Sequence, residues 1–235
     1  MNNVEKAILE HAKSVYPNES CGVIIVFKGK ELYVPCENKS VEPEKNFIIS
    51  PHDYANAEDD GEIVKIVHSH PKINPKPSQA DLVGIEQSGL PWIIVNPLTG
   101  EFTETKPSGY VAPLIGREFS HGLLDCYSLI VDYYKRVLDI ELPHFFREEY
   151  WWENGENLYV ENFSKAGFEQ VSVAEIKEHD GIIMMSQSST PNHAGVYVGN
   201  NQMIHHLQGR LSSRDVYGGY WLKNTWAVVR HKELM

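Results

Sequence analysis

Between residues 62 and 81 the chain spells a strand, a stiffened loop and a capped helix in series, with two histidines at the first join. Glu62-Ile63-Val64-Lys65-Ile66-Val67 is largely apolar and β-branched, the composition of a strand. His68-Ser69-His70-Pro71 follows. Strand side chains repeat every two residues, so His68 and His70 share a face at the strand's end. Pro71, Pro75 and Pro77 stiffen the next stretch. Ser78 can then N-cap a helix through Gln79-Ala80-Asp81, which puts Asp81 in the first turn, facing back toward both imidazoles. Two imidazoles and one carboxylate are the protein ligands of an open zinc site, whose fourth position is left for water. Such a water is a usable nucleophile near neutral pH. Two surface histidines and an ordinary capping serine would supply some of the same letters. Pro71, Ser78 and Asp81 at these spacings weigh for the metal.

The segment resembles the signature of the JAMM (MPN-type) zinc metallopeptidases. Upstream, Glu19-Ser20-Cys21-Gly22 is similar to that family's glutamate, followed shortly by Cys-Gly ahead of a strand. The resemblance implies that His68, His70 and Asp81 hold zinc and that Glu19 is the general base. It also implies that Ser78 polarises or stabilises the oxyanion. The chemistry agrees: a carboxylate beside the metal can take a proton from water and later deliver it to a leaving amine. Around these residues helices and strands alternate. A helix is expected over Val4–Val15, and paired strands over Gly22–Phe27 and Glu31–Val34. A helix opens at Ser50-Pro51, and another strand is expected over Trp92–Val95. This is an α/β sandwich pattern, and the resemblance implies a deaminase-like fold with a mixed sheet. A zinc deaminase would need the H-x-E and P-C-x-x-C signature, and the chain has neither.

Lys106-Pro107-Ser108-Gly109-Tyr110 is turn-forming and reads as the start of a linker, so domains are expected over residues 1–108 and 109–235. In the second, Asp125 can cap a helix running to about Leu138 and put Cys126 in its first turn. Helix N-terminal dipoles there favour the reactive thiolate. A buried structural cysteine is the plainer alternative. His193–Gly199 and Gln202–His206 read as strands joined at Asn200-Asn201, a hairpin turn that sets His193 beside His205. One histidine can activate the thiol and the other orient it. This half resembles the NlpC/P60 cysteine peptidases, with Asp-Cys opening a helix, then His-x-Gly-x-Tyr-x-Gly, then a strand ending in a polar residue. A strand start at His179-Asp180-Gly181 fits the same resemblance. It implies a papain-like α+β fold with Cys126 as nucleophile, His193 as base and His205 orienting His193. The residues after the nucleophile depart from the family pattern, being Tyr127-Ser128. The family's upstream tyrosine has no match here, Phe119 being the nearest aromatic. His121 and His206 are expected to be solvated bystanders. The aromatic run Leu142–Trp152 reads equally as a groove lining or as local core.

The net charge of −11 is shared almost equally by the two halves. No basic patch is evident, so no nucleic-acid partner is expected. Three cysteines make no disulfide framework and fit a reducing compartment. No apolar run reaches transmembrane length, so no membrane insertion is expected, and the N-terminus lacks a signal peptide's apolar core.

A JAMM domain joined to an NlpC/P60 domain resembles the tail assembly protein K family of long-tailed phages. That resemblance implies a location in the host cytoplasm during assembly or at the virion tail tip, with other tail-tip proteins and peptidoglycan stem peptides as partners. Three readings stay open at this point. One is a bifunctional zinc and cysteine peptidase, with zinc as its cofactor. Another is a structural tail component with one or both sites vestigial. The last is a cellular metallopeptidase that trims isopeptide-linked proteins.

Overall fold

The computed structural model describes residues 1–235, which form two compact units, Met1–Val111 and Ala112–Met235. The first opens with α1 (Asn3–Val15). Asn2 caps it by accepting from the Glu5 amide, while the Glu5 side chain reaches back to the Asn2 amide. β1 (Cys21–Phe27) and β2 (Lys30–Cys36) join through Lys28 and Gly29, both in the left-handed region that a tight hairpin requires. After α2 (Pro51–Asp60), β3 (Glu62–Ser69), α3 (Gln79–Ser88), β4 (Trp92–Val95) and β5 (Phe102–Thr105) complete the unit.

The sheet order is β2-β1-β3-β4-β5. β3 and β4 run parallel because α3 carries the chain back between them, and the other neighbours are antiparallel. Both faces are covered. Ile24, Val67 and Val95 pack on Ile8, Leu9 and Ala12 of α1. Val23, Ile25, Ile66 and Trp92 pack on Ala57 of α2 and Ile85 of α3. Each of the Val, Leu and Ile side chains among them contributes roughly 1.5–3 kcal/mol of burial. Gly84 is required for this packing, since a Cβ there would lie 2.4 Å from the Trp92 ring. This is the mixed-sheet α/β architecture expected. Residues 106–110, read as the start of a linker, stay fastened to the first unit, because Glu86 accepts from the Ser108 and Tyr110 amides at 2.6 and 3.0 Å.

The second unit contains α4 (Cys126–Tyr133), α5 (Leu158–Asn162), β6 (Phe168–Val171), β7 (Gly181–Met184), β8 (His193–Tyr197), β9 (Gln202–His205), β10 (Ser213–Val216), α6 (Tyr220–Lys223) and β11 (Thr225–His231). Its sheet, in the order β10-β9-β8-β7-β11-β6, is antiparallel throughout. Ile130, Val131 and Tyr134 pack against Ile183, Ala194, Val196 and Val229, giving the expected α+β layering. One expectation needs correction: the regular helix ends at Tyr133. A wider π-turn over Tyr134–Leu138 follows, closed by the Asp139 amide bonding back to Tyr134 O in a left-handed cap. No helix of the chain is long and apolar enough to cross a membrane.

Candidate active sites

In the first unit, His68 stands near the end of β3, paired with Cys21 on one side and Ile94 on the other. The His70 amide continues the ladder to Val95 O at 2.9 Å. Asp81 is fixed by a capping box: Ser78 Oγ accepts from its amide at 3.1 Å, and its Oδ2 accepts from the Ser78 amide at 2.7 Å. These local structures bring three donors together. The two Nε2 atoms of His68 and His70 lie 3.1 Å apart, and they lie 3.2 and 3.3 Å from the Asp81 carboxylate oxygens. Zinc bonds of about 2.0–2.1 Å at tetrahedral angles separate donors by about 3.3 Å, so each pairwise spacing is of the size that ion needs, with Asp81 presenting Oδ1 to His68 and Oδ2 to His70.

The proton inventory points the same way. His70 Nδ1 lies 3.3 Å from Asn74 O, which can only accept, so Nδ1 carries a proton, and in the neutral ring Nε2 is the bare nitrogen. That bare nitrogen faces a second imidazole and a carboxylate, and a cation satisfies all three. His68 is wedged by Phe47, stacked at 4.4 Å, and by the edge of Trp92 at 5.6 Å. Its Nδ1 is buried without a partner.

Glu19 joins this group from the segment before β1. Its amide donates to Pro43 O at 2.7 Å, and the Ser20 amide donates to Ser69 Oγ at 2.8 Å, fastening the segment to the end of β3. Burial pushes the Glu19 carboxyl up to about 7, opposed by His68 and His70 and assisted by Asp81. Burial also works against Asp81 ionising, but the two imidazoles and the Ser78 amide outweigh it and hold that carboxyl well below its usual range. The set can hold a divalent cation beside a carboxylate suited to moving protons.

In the second unit, Cys126 is the first residue of α4, behind its cap Asp125. The Asp125 carboxylate accepts from the Ser128 and Gly122 amides, both at 2.9 Å. It also accepts both arms of the Arg147 guanidinium at 2.7 Å. Cys126 Sγ meets Tyr159 Oη at 3.1 Å, and the Ala194 amide, next in the chain to His193, favours its thiolate. Burial and the Asp125 charge push the thiol up, and Tyr159, the Ala194 amide and Arg147 only partly offset them. The other two cysteines, Cys21 and Cys36, lie free and buried in the first unit, pushed by burial to about 12 and about 11.

The histidines stand as the hairpin requires. His193 Nε2 lies 2.9 Å from His205 Nδ1, and Trp221 packs on both rings at 5.6 and 4.7 Å. Burial, then His205 and His206, hold His193 well below its ordinary range. Both directions favour the uncharged forms, a neutral imidazole at His193 and a protonated thiol at Cys126. His206 is not a solvated bystander. Alternation on the strand turns it away from His205 into a buried position, against the Phe119 ring at 5.1 Å and Arg210 O at 3.2 Å. His121 is partly buried and donates to Arg147 O at 3.1 Å.

Three residues here have no counterpart in the sequence reading: Tyr159 at the sulfur, Arg147 at the cap and Asp215, whose Oδ2 lies 3.0 Å from His205 Nε2. The aromatic run divides its work. Leu142 and Trp151 are core, Phe145 packs on Tyr127 at 5.8 Å, and Phe146 is exposed. Arg147 ties the run to Asp125.

Residues 1–106 match the family described as prokaryotic homologs of the JAB domain, and residues 116–230 match the NlpC/P60 family. Tail tip assembly protein K of Escherichia phage N15 is 41% identical over 97% of this chain and 94% of its own length. The protein of the same name from Escherichia phage lambda is 40% identical over 78% of this chain and 89% of its own. Among solved structures, a JAB1/MPN domain protein from Archaeoglobus fulgidus aligns with a TM-score of 0.32 and 22% identity, covering 47% of this chain and 89% of that one.

Proposed function

The chain belongs to the tail tip assembly protein K family, and from that premise we propose that it is a peptidase with two sites, acting in phage tail assembly and on the bacterial cell wall. The observation that carries this reading is a pairing. One domain holds a His68, His70 and Asp81 cluster sized for a cation, and the other holds a capped thiol against the strand that bears His193.

In the first domain, His68, His70 and Asp81 would hold zinc, which when bound supplies a Lewis acid for the scissile carbonyl and acidifies water. Glu19 takes the proton of the attacking water and returns it to the leaving amine. Ser78 accepts from the Asp81 amide through its oxygen, so its own hydroxyl proton stays available to an oxyanion. The substrate class is a peptide or isopeptide, in a tail protein or in the wall.

In the second domain, His193 takes the thiol proton as the Cys126 sulfur attacks a peptide carbonyl, then delivers it to the leaving amine. Water later cleaves the thioester with His193 again as base. Tyr159 stays protonated, because burial and its sulfur neighbour hold its phenol well above the ordinary range. It therefore donates to the sulfur once that sulfur is charged. The substrate class is the peptidoglycan stem peptide, at a D-γ-glutamyl to diamino-acid bond. The phage relatives favour this reading over a cellular isopeptidase.

A second reading, a structural tail component with spent sites, draws on the push that burial and Asp125 exert on the thiol. Mass spectrometry of muropeptides decides between them. Wild type and Glu19→Gln should release cleaved stem peptides, and Cys126→Ala should not. Equal release by wild type and Cys126→Ala would sink the thiol assignment. A His68→Ala, His70→Ala double variant should lose near-stoichiometric zinc, and undiminished zinc would sink the metal assignment.

A further inference from the structure

The row of polar side chains on the second sheet does not stop at His205. Register explains why. His205 on β9 pairs with Gly195 on β8, so His193, two residues earlier, is its diagonal neighbour on the same face. On the other side His205 pairs with Ser213 of β10, so Asp215, two residues later, is again diagonal and on the same face. Gly195 keeps the middle of the row clear, because a Cβ there would lie 3.0 Å from the His205 Cβ and 2.8 Å from Ile204 O. Three strands thus align His193, His205 and Asp215, with contacts of 2.9 and 3.0 Å.

From this row we propose that Asp215 is a positioning residue that fixes the tautomer of His205 and, through it, leaves Nδ1 of His193 as the free base. An ionised carboxylate only accepts, so His205 Nε2 must carry the hydrogen in the 3.0 Å contact. A neutral imidazole has one N–H, so His205 Nδ1 is bare. The 2.9 Å contact to His193 then requires His193 Nε2 to carry its hydrogen, which leaves His193 Nδ1 bare. Asp215 is suited to remain ionised. Burial works against it, but His205, Ser213 and Arg210 outweigh burial and hold its carboxyl below the usual range. Its side chain is 27% exposed while that of His205 is 1% exposed, so Asp215 anchors the buried row at its wetter end. With no carboxylate, His205 is free to protonate Nδ1. His193 would then turn its bare nitrogen toward His205 and its N–H away, and a base would become a donor. The catalytic consequence rests on the thiol-peptidase reading, whereas the tautomer assignment does not.

The test reads the tautomers directly. Long-range proton–nitrogen correlation spectra of the 15N-labelled full chain should show His205 and His193 both as Nε2–H species. In Asp215→Asn, whose carboxamide can donate to a bare nitrogen, and in Asp215→Ala, His205 should shift to a mixture or to Nδ1–H. Muropeptide cleavage should fall on the order of 10- to 100-fold in kcat/KM, below the full loss of a general base, and Asp215→Glu should restore much of it. The proposal is overturned if wild-type His205 is Nδ1–H, if both variants keep the wild-type tautomers, or if both cleave at the wild-type rate. A wild type that cleaves nothing while showing the expected tautomers would reject the peptidase reading and leave the positioning assignment standing.

Discussion

In the first domain two imidazole nitrogens and a carboxylate converge with a geometry that a cation completes, whereas in the second the polar side chains of the row already contact one another in series. His68, His70 and Asp81 place two imidazole nitrogens and a carboxylate 3.1–3.3 Å apart. From His193 to Asp215 each nitrogen that faces a neighbour lies 2.9–3.0 Å from it. A converging set of acceptors points to something supplied from outside. A closed chain points to protons moved within the protein. The two sites should therefore respond oppositely to metal removal and to thiol modification.

The largest expected effect separates them from the thiol side. Cys126→Ala should lower stem-peptide cleavage on the order of 10⁴-fold or more, as loss of a nucleophile does, with zinc content by elemental analysis unchanged. A variant that lost zinc as well would break the independence of the two sites. From the metal side, Glu19→Gln should keep zinc and lower first-domain cleavage on the order of 10²–10⁴-fold, the range of a general base. Chelation should abolish that cleavage and leave Cys126-dependent muropeptide release intact. Release that fell with chelation would assign wall cleavage to the wrong domain.

Legibility differed between the sites for a physical reason. The metal triad is a product of local structure: a period of two along β3, then a cap that orients Asp81 three residues on. Such spacings are visible in a sequence. Glu19 was visible only through resemblance, because tertiary bonds to Ser69 and Pro43 bring it in. Cys126, His193 and His205 were readable from a cap and a hairpin. Tyr159 and Arg147 were not: Arg147 arrives from an irregular stretch fixed by its pair with Asp125, and Tyr159 sits on α5, whose five residues are too few to show a period. Asp215 lies on a four-residue edge strand, where a carboxylate is ordinarily just a solvated charge. His206 misled because its polarity suggested water, yet strand alternation buried it.

Arg147 tests how far the closed character of the second site extends. Its pair with Asp125 is largely buried, at 11% and 3% side-chain exposure. Arg147→Met leaves the carboxylate uncompensated and should destabilise the second unit by about 3–5 kcal/mol, the usual cost of breaking a buried pair. Adding Asp125→Asn should recover most of that in thermal unfolding. Burial works against Asp125 ionising, and Arg147 more than reverses it, so the folded carboxyl lies below its ordinary range. A depressed folded pKa contributes stability that is complete above about pH 4 and is lost as the pH falls through the folded value. Acid titration of wild type should show that loss, and the double variant should be flatter. An equally steep double variant would remove Asp125 as its source.

The smallest effect concerns the sulfur itself. Tyr159→Phe keeps the ring that packs on Trp151 at 6.0 Å and removes only the hydroxyl 3.1 Å from Cys126 Sγ. A hydrogen bond to a charged group contributes about 1.5–3 kcal/mol, so kcat/KM should fall roughly 10- to 150-fold. The phenol is one of the groups that pull the thiol pKa down. Without it the thiol should ionise at higher pH, and the pH profile of alkylation by iodoacetamide should move to the alkaline side. A profile that stayed in place, or moved toward acid, would mean that the phenol does not donate to the sulfur. The second site would then draw its thiolate stabilisation from the Ala194 amide and the cap of α4, closer to the local logic of the first.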